Sequence, residues 1–225
     1  ADATADALDR YKKMRVIWQT DPKTSTNLDA ATASDAQIDT VLRSLGITQS
    51  RLDAIKVTKI QDGYWTLTDP ENIALAKKHD VSYLYHQIFD SGDVTKVLKS
   101  GELMATSNRW GRGILNSGMS SSEDMRTGGG DSVFTRIVFK DQVGKDSPYS
   151  SHAVTLVLDP KILGRTDWYA YTGDKYGETN TSYMKNRFGT EEHFEELRRY
   201  YRGSNEVMFR KTIPLADSLI EIRES

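Results

Sequence analysis

The chain has no cysteine among its 225 residues. That absence excludes disulfides, thiolate metal sites and a cysteine nucleophile, and it is compatible with either a reducing or an oxidising compartment. Histidine is scarce too, four in all and widely spaced, so a zinc site made of protein alone would need scattered histidine and carboxylate ligands. No apolar run approaches the ~18 residues needed to span a membrane. The charges, 30 basic against 32 acidic, are interspersed and leave a net −2, so no chain-wide basic field awaits nucleic acid. Also missing are the phosphate-loop lysine motif, the dinucleotide GxGxxG, HExxH, the GxSxG elbow and the EF-hand loop.

What is present suffices for one large domain or a domain with an appendage, able to bury roughly 70% of its unfolded surface. Residues 1–20 are charged and helical in pattern, unlike a signal peptide. A start at Ala-Asp-Ala-Thr without Met suggests a processed product or an excised piece that has lost its targeting information. Residues 1–80 read as a mainly helical subdomain. Leu8, Tyr11, Met14 and Trp18 lie near one helix face, and Ser34-Asp-Ala-Gln37 resembles a capping box ahead of Ile38, Val41, Leu42 and Leu45. Residues 56–60 alternate like a strand, with 63–67 as hairpin partner. Asp69-Pro70-Glu71 supplies a cap, a first-turn proline and an acid near the dipole. It predicts a helix ending near His79, which is expected at a solvated helix end.

Residues 81–225 read as a second, mostly β domain. Val81-Ser-Tyr-Leu-Tyr-His-Gln-Ile-Phe89 is rich in β-formers and carries His86 toward its end. A helix over 91–101 follows, with Val94, Val97 and Leu98 inward and Gly101 as its stop, then a small strand at 102–105. Residues 107–131 hold six glycines and five serines together with Arg109, Trp110, Arg112 and Met119, and a loop of that length and content reads as functional. Strands are expected at 131–139, at 153–158 (buried on both faces), at 168–171, 206–209 and 219–222, with a charged helix over 191–201 bearing a solvated His193. Helices first, then strands with inserted helices, indicate an α+β fold.

Three separated pieces share one pattern: Leu84-Tyr85-His86, the cadence Val94-Thr-Lys-Val-Leu-Lys-Ser-Gly-Glu-Leu103, and Asn205-Glu206-Val207-Met208-Phe209 ahead of Ile213-Pro214-Leu215. Over about residues 81–223 the chain resembles the ADP-ribosyltransferase superfamily, in particular its bacterial toxin and effector mono-ADP-ribosyltransferases. The resemblance implies a split β-sheet core, NAD as substrate, no metal, and transfer of ADP-ribose to a macromolecular acceptor, protein or nucleic acid undecided. It allows for an inhibitor or immunity protein as a further partner, and for a secreted or delivered effector.

The same resemblance gives Glu206 the catalytic role. Cleaving the nicotinamide–ribose bond creates an oxocarbenium-like ribose, which one carboxylate can stabilise while orienting the incoming nucleophile. His86 would hold the adenosine ribose, and the main chain of Gln87, where many relatives have glycine, the nicotinamide carboxamide. Ser132-Val133-Phe134-Thr135 stands at the middle motif, where no tyrosine matches. Ser132 and Phe134 are its NAD-facing candidates, Phe134 by stacking on the flat ring. Arg109 and Arg112 would clamp the pyrophosphate. Tyr200, Tyr201, Arg202 and Ser204 fall on the target-recognising turn, and Ser204 matches neither of the residues that indicate a target class. Two alternatives stay open: a NAD glycohydrolase on the same fold, and an inactive binding or structural module. Glu123-Asp124 keeps a glycosidase-like carboxylate pair as a third.

Overall fold

The structure, a computed structural model, describes residues 50, 54, 56–61, 64–89, 91–106, 132–144, 154–165, 167–171, 184–185, 191–199 and 205–224. The expected helices before residue 50 and the glycine-rich loop lie outside these residues.

β1 (Lys56–Gln61) and β2 (Tyr64–Thr68) form the antiparallel hairpin that their alternation predicts. α1 (Pro70–Lys78) follows, and the Asp69 carboxylate caps it by accepting from the Glu71 main-chain N–H at 3.0 Å. Proline in the first turn sacrifices no helical hydrogen bond, and Glu71 at one end with Lys77 and Lys78 at the other complements the helix dipole. Next come β3 (Val81–Ile88), α2 (Ser91–Ser100), β4 (Glu102–Met104), β5 (Ser132–Phe139) and β6 (Val154–Leu158). After a 3-10 turn (Pro160–Gly164) the chain forms β7 (Trp168–Tyr171), β8 (Met184–Lys185), α3 (Glu192–Arg199), β9 (Glu206–Arg210), β10 (Thr212–Pro214) and β11 (Leu219–Arg223). The fold is α+β with antiparallel pairing throughout the described strands. No helix among the described residues is long and apolar enough to cross a membrane.

Seven strands join in the order β11-β6-β3-β5-β9-β7-β8, while β4 pairs with β10. Alternation sends Leu84, Ile137, Leu156, Trp168, Val207 and Phe209 to one face, where Ala76 of α1 and Phe194 and Leu197 of α3 complete the main core. Full burial of each large apolar side chain contributes about 1.5–3 kcal/mol. The opposite face carries a smaller cluster of Tyr83, Tyr85, Val138 and Val157.

β5 belongs to two ladders. Its second half pairs with β3, from Val81↔Phe139 to Tyr85↔Arg136. Its first half pairs with β9, from Ser132↔Arg210 to Thr135↔Val207. Beyond Tyr85, β3 pairs with β6 alone, through His86↔Leu156 to Ile88↔Val154. The sheet therefore forks between β3 and β5 at the rung of His86.

Several expectations are corrected. Leu98 is largely exposed, whereas Val94 and Val97 pack against the core. At about 100° per residue Leu98 falls some 70° from the centre of the face those two valines define. Only Leu156 to Leu158 of β6 are buried, Val154 and Thr155 being half-exposed near the fork. His79 and His193 are half-buried and packed against rings instead of standing free in solvent. His79 stacks on Phe194 with centroids 5.7 Å apart, and His193 meets Trp168 edge-on at 6.3 Å. Both lie where α1 and α3 close over the core, a tertiary contact that helix periodicity does not encode.

Candidate functional site

His86 stands where β3 parts from β5. Its Nδ1 lies 2.6 Å from the Phe134 carbonyl oxygen. A carbonyl only accepts, so the Nδ1 proton is donated, which fixes the ring tautomer whenever the imidazole is neutral. Had the β3–β5 ladder continued, Phe134 would lie opposite Gln87. The imidazole thus supplies a contact across the gap where main-chain pairing has stopped. By the same alternation the Gln87 main-chain groups point toward β5, into the fork, while its side-chain amide donates to Thr155 Oγ1 at 3.2 Å.

Glu206 begins β9 and is 7% exposed. Its register partner on β7 is Tyr171. On the β5 side the next rung after Thr135↔Val207 places it beside Arg136, which is 6% exposed. Alternation puts Glu206 on the face of Ser132, Phe134, Arg136 and Met208, with Tyr85 beyond Arg136 on β3. Three predicted residues, Ser132, Phe134 and Glu206, therefore share one face of adjacent strands, and both Ser132 and Phe134 are half-buried. His86 is not adjacent to Glu206. β5 lies between their strands, and His86 sits in the row of Leu84 and Ile88, at the fork's edge. Arg109, Arg112, Tyr200, Tyr201, Arg202 and Ser204 lie outside the described residues, as do Glu123 and Asp124.

Two supports of this site carry no motif. Asn205 is 0% exposed and holds both main-chain groups of Ile137: its Oδ1 accepts from the N–H at 3.0 Å and its Nδ2 donates to the C=O at 3.3 Å. Arg165 forms a buried two-pronged ion pair with Asp167, through Nε to Oδ1 at 2.9 Å and Nη2 to Oδ2 at 2.8 Å. The same guanidinium donates to the carbonyls of Arg210 and Thr212 and lies over the Phe209 ring. It thereby fixes the sharp β9–β10 turn at Lys211, whose φ is +66°. The sequence did hold one signal for the Glu206 face. Arg136 is the one charged residue of the strand, at the spacing of Ser132 and Phe134, and a charge there needs a polar neighbour.

One group of the described residues could hold a metal ion: His79, Glu191 and Glu195, whose ligand atoms lie within 4.8 Å of one another. The Glu191 carboxylate is already engaged, with Lys78 Nζ at 2.6 Å and His79 Nε2 at 2.8 Å from the same oxygen. The ammonium satisfies and neutralises the acid that a cation would need, so the trio reads as an ionic link between α1 and α3. It lies on the helical side of the core, apart from the fork. No known family model and no curated protein matches this chain.

Proposed function

We propose that the chain cleaves the nicotinamide–ribose bond of NAD and transfers ADP-ribose to a macromolecular acceptor, as a divergent mono-ADP-ribosyltransferase. The observation that carries the reading is a buried glutamate, Glu206, on the first residue of β9 and on one face with Ser132 and Phe134 of β5. β5 is also the strand from which β3, with His86, forks away. A carboxylate held by a strand, largely out of water, suits the stabilisation of a transient cation. Its charge is little screened there, and it need not reorganise as the cation forms. In this reading the nicotinamide ribose lies at Glu206 with Phe134 against the ring, the carboxamide meets the Gln87 main chain in the fork, and the adenosine ribose reaches His86. The 2′-hydroxyl of the ribose bonds the Glu206 carboxylate, which steadies the positive charge spread over C1′ and the ring oxygen. The same carboxylate then accepts the proton of the incoming nucleophile.

The test is nicotinamide release from labelled NAD, with and without acceptor extracts. Wild type should release nicotinamide, and Glu206→Gln should release it at least about 100-fold more slowly while still binding NAD. Wild type that neither binds NAD nor releases nicotinamide defeats the proposal. Label that stays as free ADP-ribose under every acceptor condition would redirect it to a NAD glycohydrolase. Equal activity in Glu206→Gln would displace the site but not the reaction.

A further inference from the structure

Asn205 does something unusual for a residue at the start of a strand. Ile137 is the point at which β5 has already joined β3, as the partner of Leu84, and has left the main-chain ladder with β9, which ends at Thr135↔Val207. Its N–H and C=O still point toward β9. Among the described residues neither is met there by main chain. Both are met by the one carboxamide of Asn205, acceptor to the N–H and donor to the C=O. The next rung inward, Thr135↔Val207, belongs to the main-chain ladder and is reinforced by the Thr135 hydroxyl, which donates to the Val207 carbonyl at 2.7 Å. At the start of β9 a side-chain amide therefore makes the contact that a main-chain rung would have made. The next residue, the first of β9, is Glu206.

We propose that Asn205 is a positioning residue for Glu206. Its amide sets how far the start of β9 stands from β5, and so where the Glu206 carboxylate lies over the face it shares with Phe134 and Arg136. The proposal rests on the reading of Glu206 as the catalytic carboxylate. Only asparagine combines a coplanar donor and acceptor at this reach. Aspartate keeps the acceptor for the Ile137 N–H but sets an oxygen against the Ile137 C=O. Glutamine keeps both partners on a stem one methylene longer, which pushes β9 outward.

The experiment compares wild type, Asn205→Gln and Asn205→Asp by far-UV circular dichroism, by the kinetics of nicotinamide release from NAD, and by the carboxyl titration of Glu206 followed through its 13C NMR shift. The expected result is folded Asn205→Gln with kcat lowered at least tenfold, KM for NAD within threefold of wild type, and a displaced Glu206 titration. A role in folding alone predicts the opposite: with both Ile137 hydrogen bonds kept, kcat stays within twofold and the titration does not move, and that result overturns the proposal. Asn205→Asp serves where Asn205→Gln does not fold, and if neither folds Asn205 is a fold residue and the proposal fails. If wild type releases no nicotinamide, the NAD reading falls by itself. The Glu206 titration then decides Asn205 alone, a shift upholding the positioning role and an unmoved curve ending it.

Discussion

The imidazole of His86 and the carbonyl of Phe134 stand 2.6 Å apart across the gap where β3 and β5 separate. The contact closes the fork without pairing the strands. His86→Leu leaves the carbonyl without that donor and should cost about 1 kcal/mol in urea unfolding. His86→Asn, whose amide nitrogen reaches nearly as far as Nδ1, should lose less than half of that. NAD affinity, measured by calorimetry, should fall in both variants if the ring also contacts the adenosine ribose. A ring that only pins the fork leaves the affinity of His86→Asn unchanged.

The ion pair of Arg165 and Asp167 is almost wholly out of water, with side-chain exposures of 7% and 0%. Removing one partner of such a pair strands the other's charge. Asp167→Ala is therefore expected to destabilise by about 3–5 kcal/mol in equilibrium urea unfolding. Arg165→Lys should also be costly despite keeping the charge. An ammonium cannot make the two-pronged contact with Asp167 and reach the carbonyls of Arg210 and Thr212 at once. A loss below about 1 kcal/mol for Asp167→Ala would show that the turn at Lys211 is held by something else.

Asn72 lies in α1 with no exposure, and among the described residues neither its Oδ1 nor its Nδ2 has a hydrogen-bond partner. A buried amide without partners is costly, and an apolar side chain of similar shape removes the cost. Asn72→Leu should raise the urea midpoint, with a gain of about 1 kcal/mol at unchanged m-value. A fall in stability would mean that the amide is satisfied by bound water.

The link between α1 and α3 should titrate. Hydrogen bonds from Lys78, and next from His79, hold the Glu191 carboxyl below its ordinary value. Its bond to Glu191 holds the Lys78 ammonium above its own. A carboxyl lowered by folding adds stability that is present above the ordinary carboxylate pKa and vanishes as pH falls through the folded value. A raised lysine adds stability that is present below the ordinary lysine pKa and is lost as pH climbs through the folded value. The melting temperatures of wild type and Glu191→Gln should therefore differ most between about pH 5 and pH 10 and converge in stronger acid. Because Lys78 is exposed and Glu191 partly so, the gap should be small and should shrink further in 1 M salt. A gap that persists at pH 3 would mean that the side chain acts through packing.

Most of the strands could be read from the residues themselves. Val81 to Ile88, Ser132 to Phe139 and Glu206 to Arg210 are built from β-branched and aromatic residues whose alternation survives folding, and Asp69-Pro70 marks a helix start by local chemistry alone. The fork was not legible. Which half of β5 pairs with β3 and which with β9 is set by register across long stretches of chain, and no local pattern in Ser132-Val-Phe-Thr-Arg-Ile-Val-Phe139 marks the change at Arg136. Asn205 was passed over for a related reason. Among Gly203, Ser204 and Glu206 an asparagine looks like a turn residue, and only the orientation of Ile137 gives it another task. The reading of His79 as a solvated residue failed because its partner, Glu191, lies 112 residues further on.

The double membership of β5 also orders events in a growing chain. Its second half finds β3, which precedes it, and β6 follows soon after to cover the other side of β3. Its first half must wait for β9, since Thr135 and Val207 are 72 residues apart. Contacts so distant in sequence form late, after the loop-closure entropy has been met. Until then the edge of residues 132–135 that faces β9 lacks its main-chain partners, with the apolar Val133 and Phe134 within it. A polypeptide that stalls or is cut before residue 205 keeps that edge exposed and should aggregate through it. The seam that β9 closes in the finished protein is, during synthesis, an open edge available to any other strand.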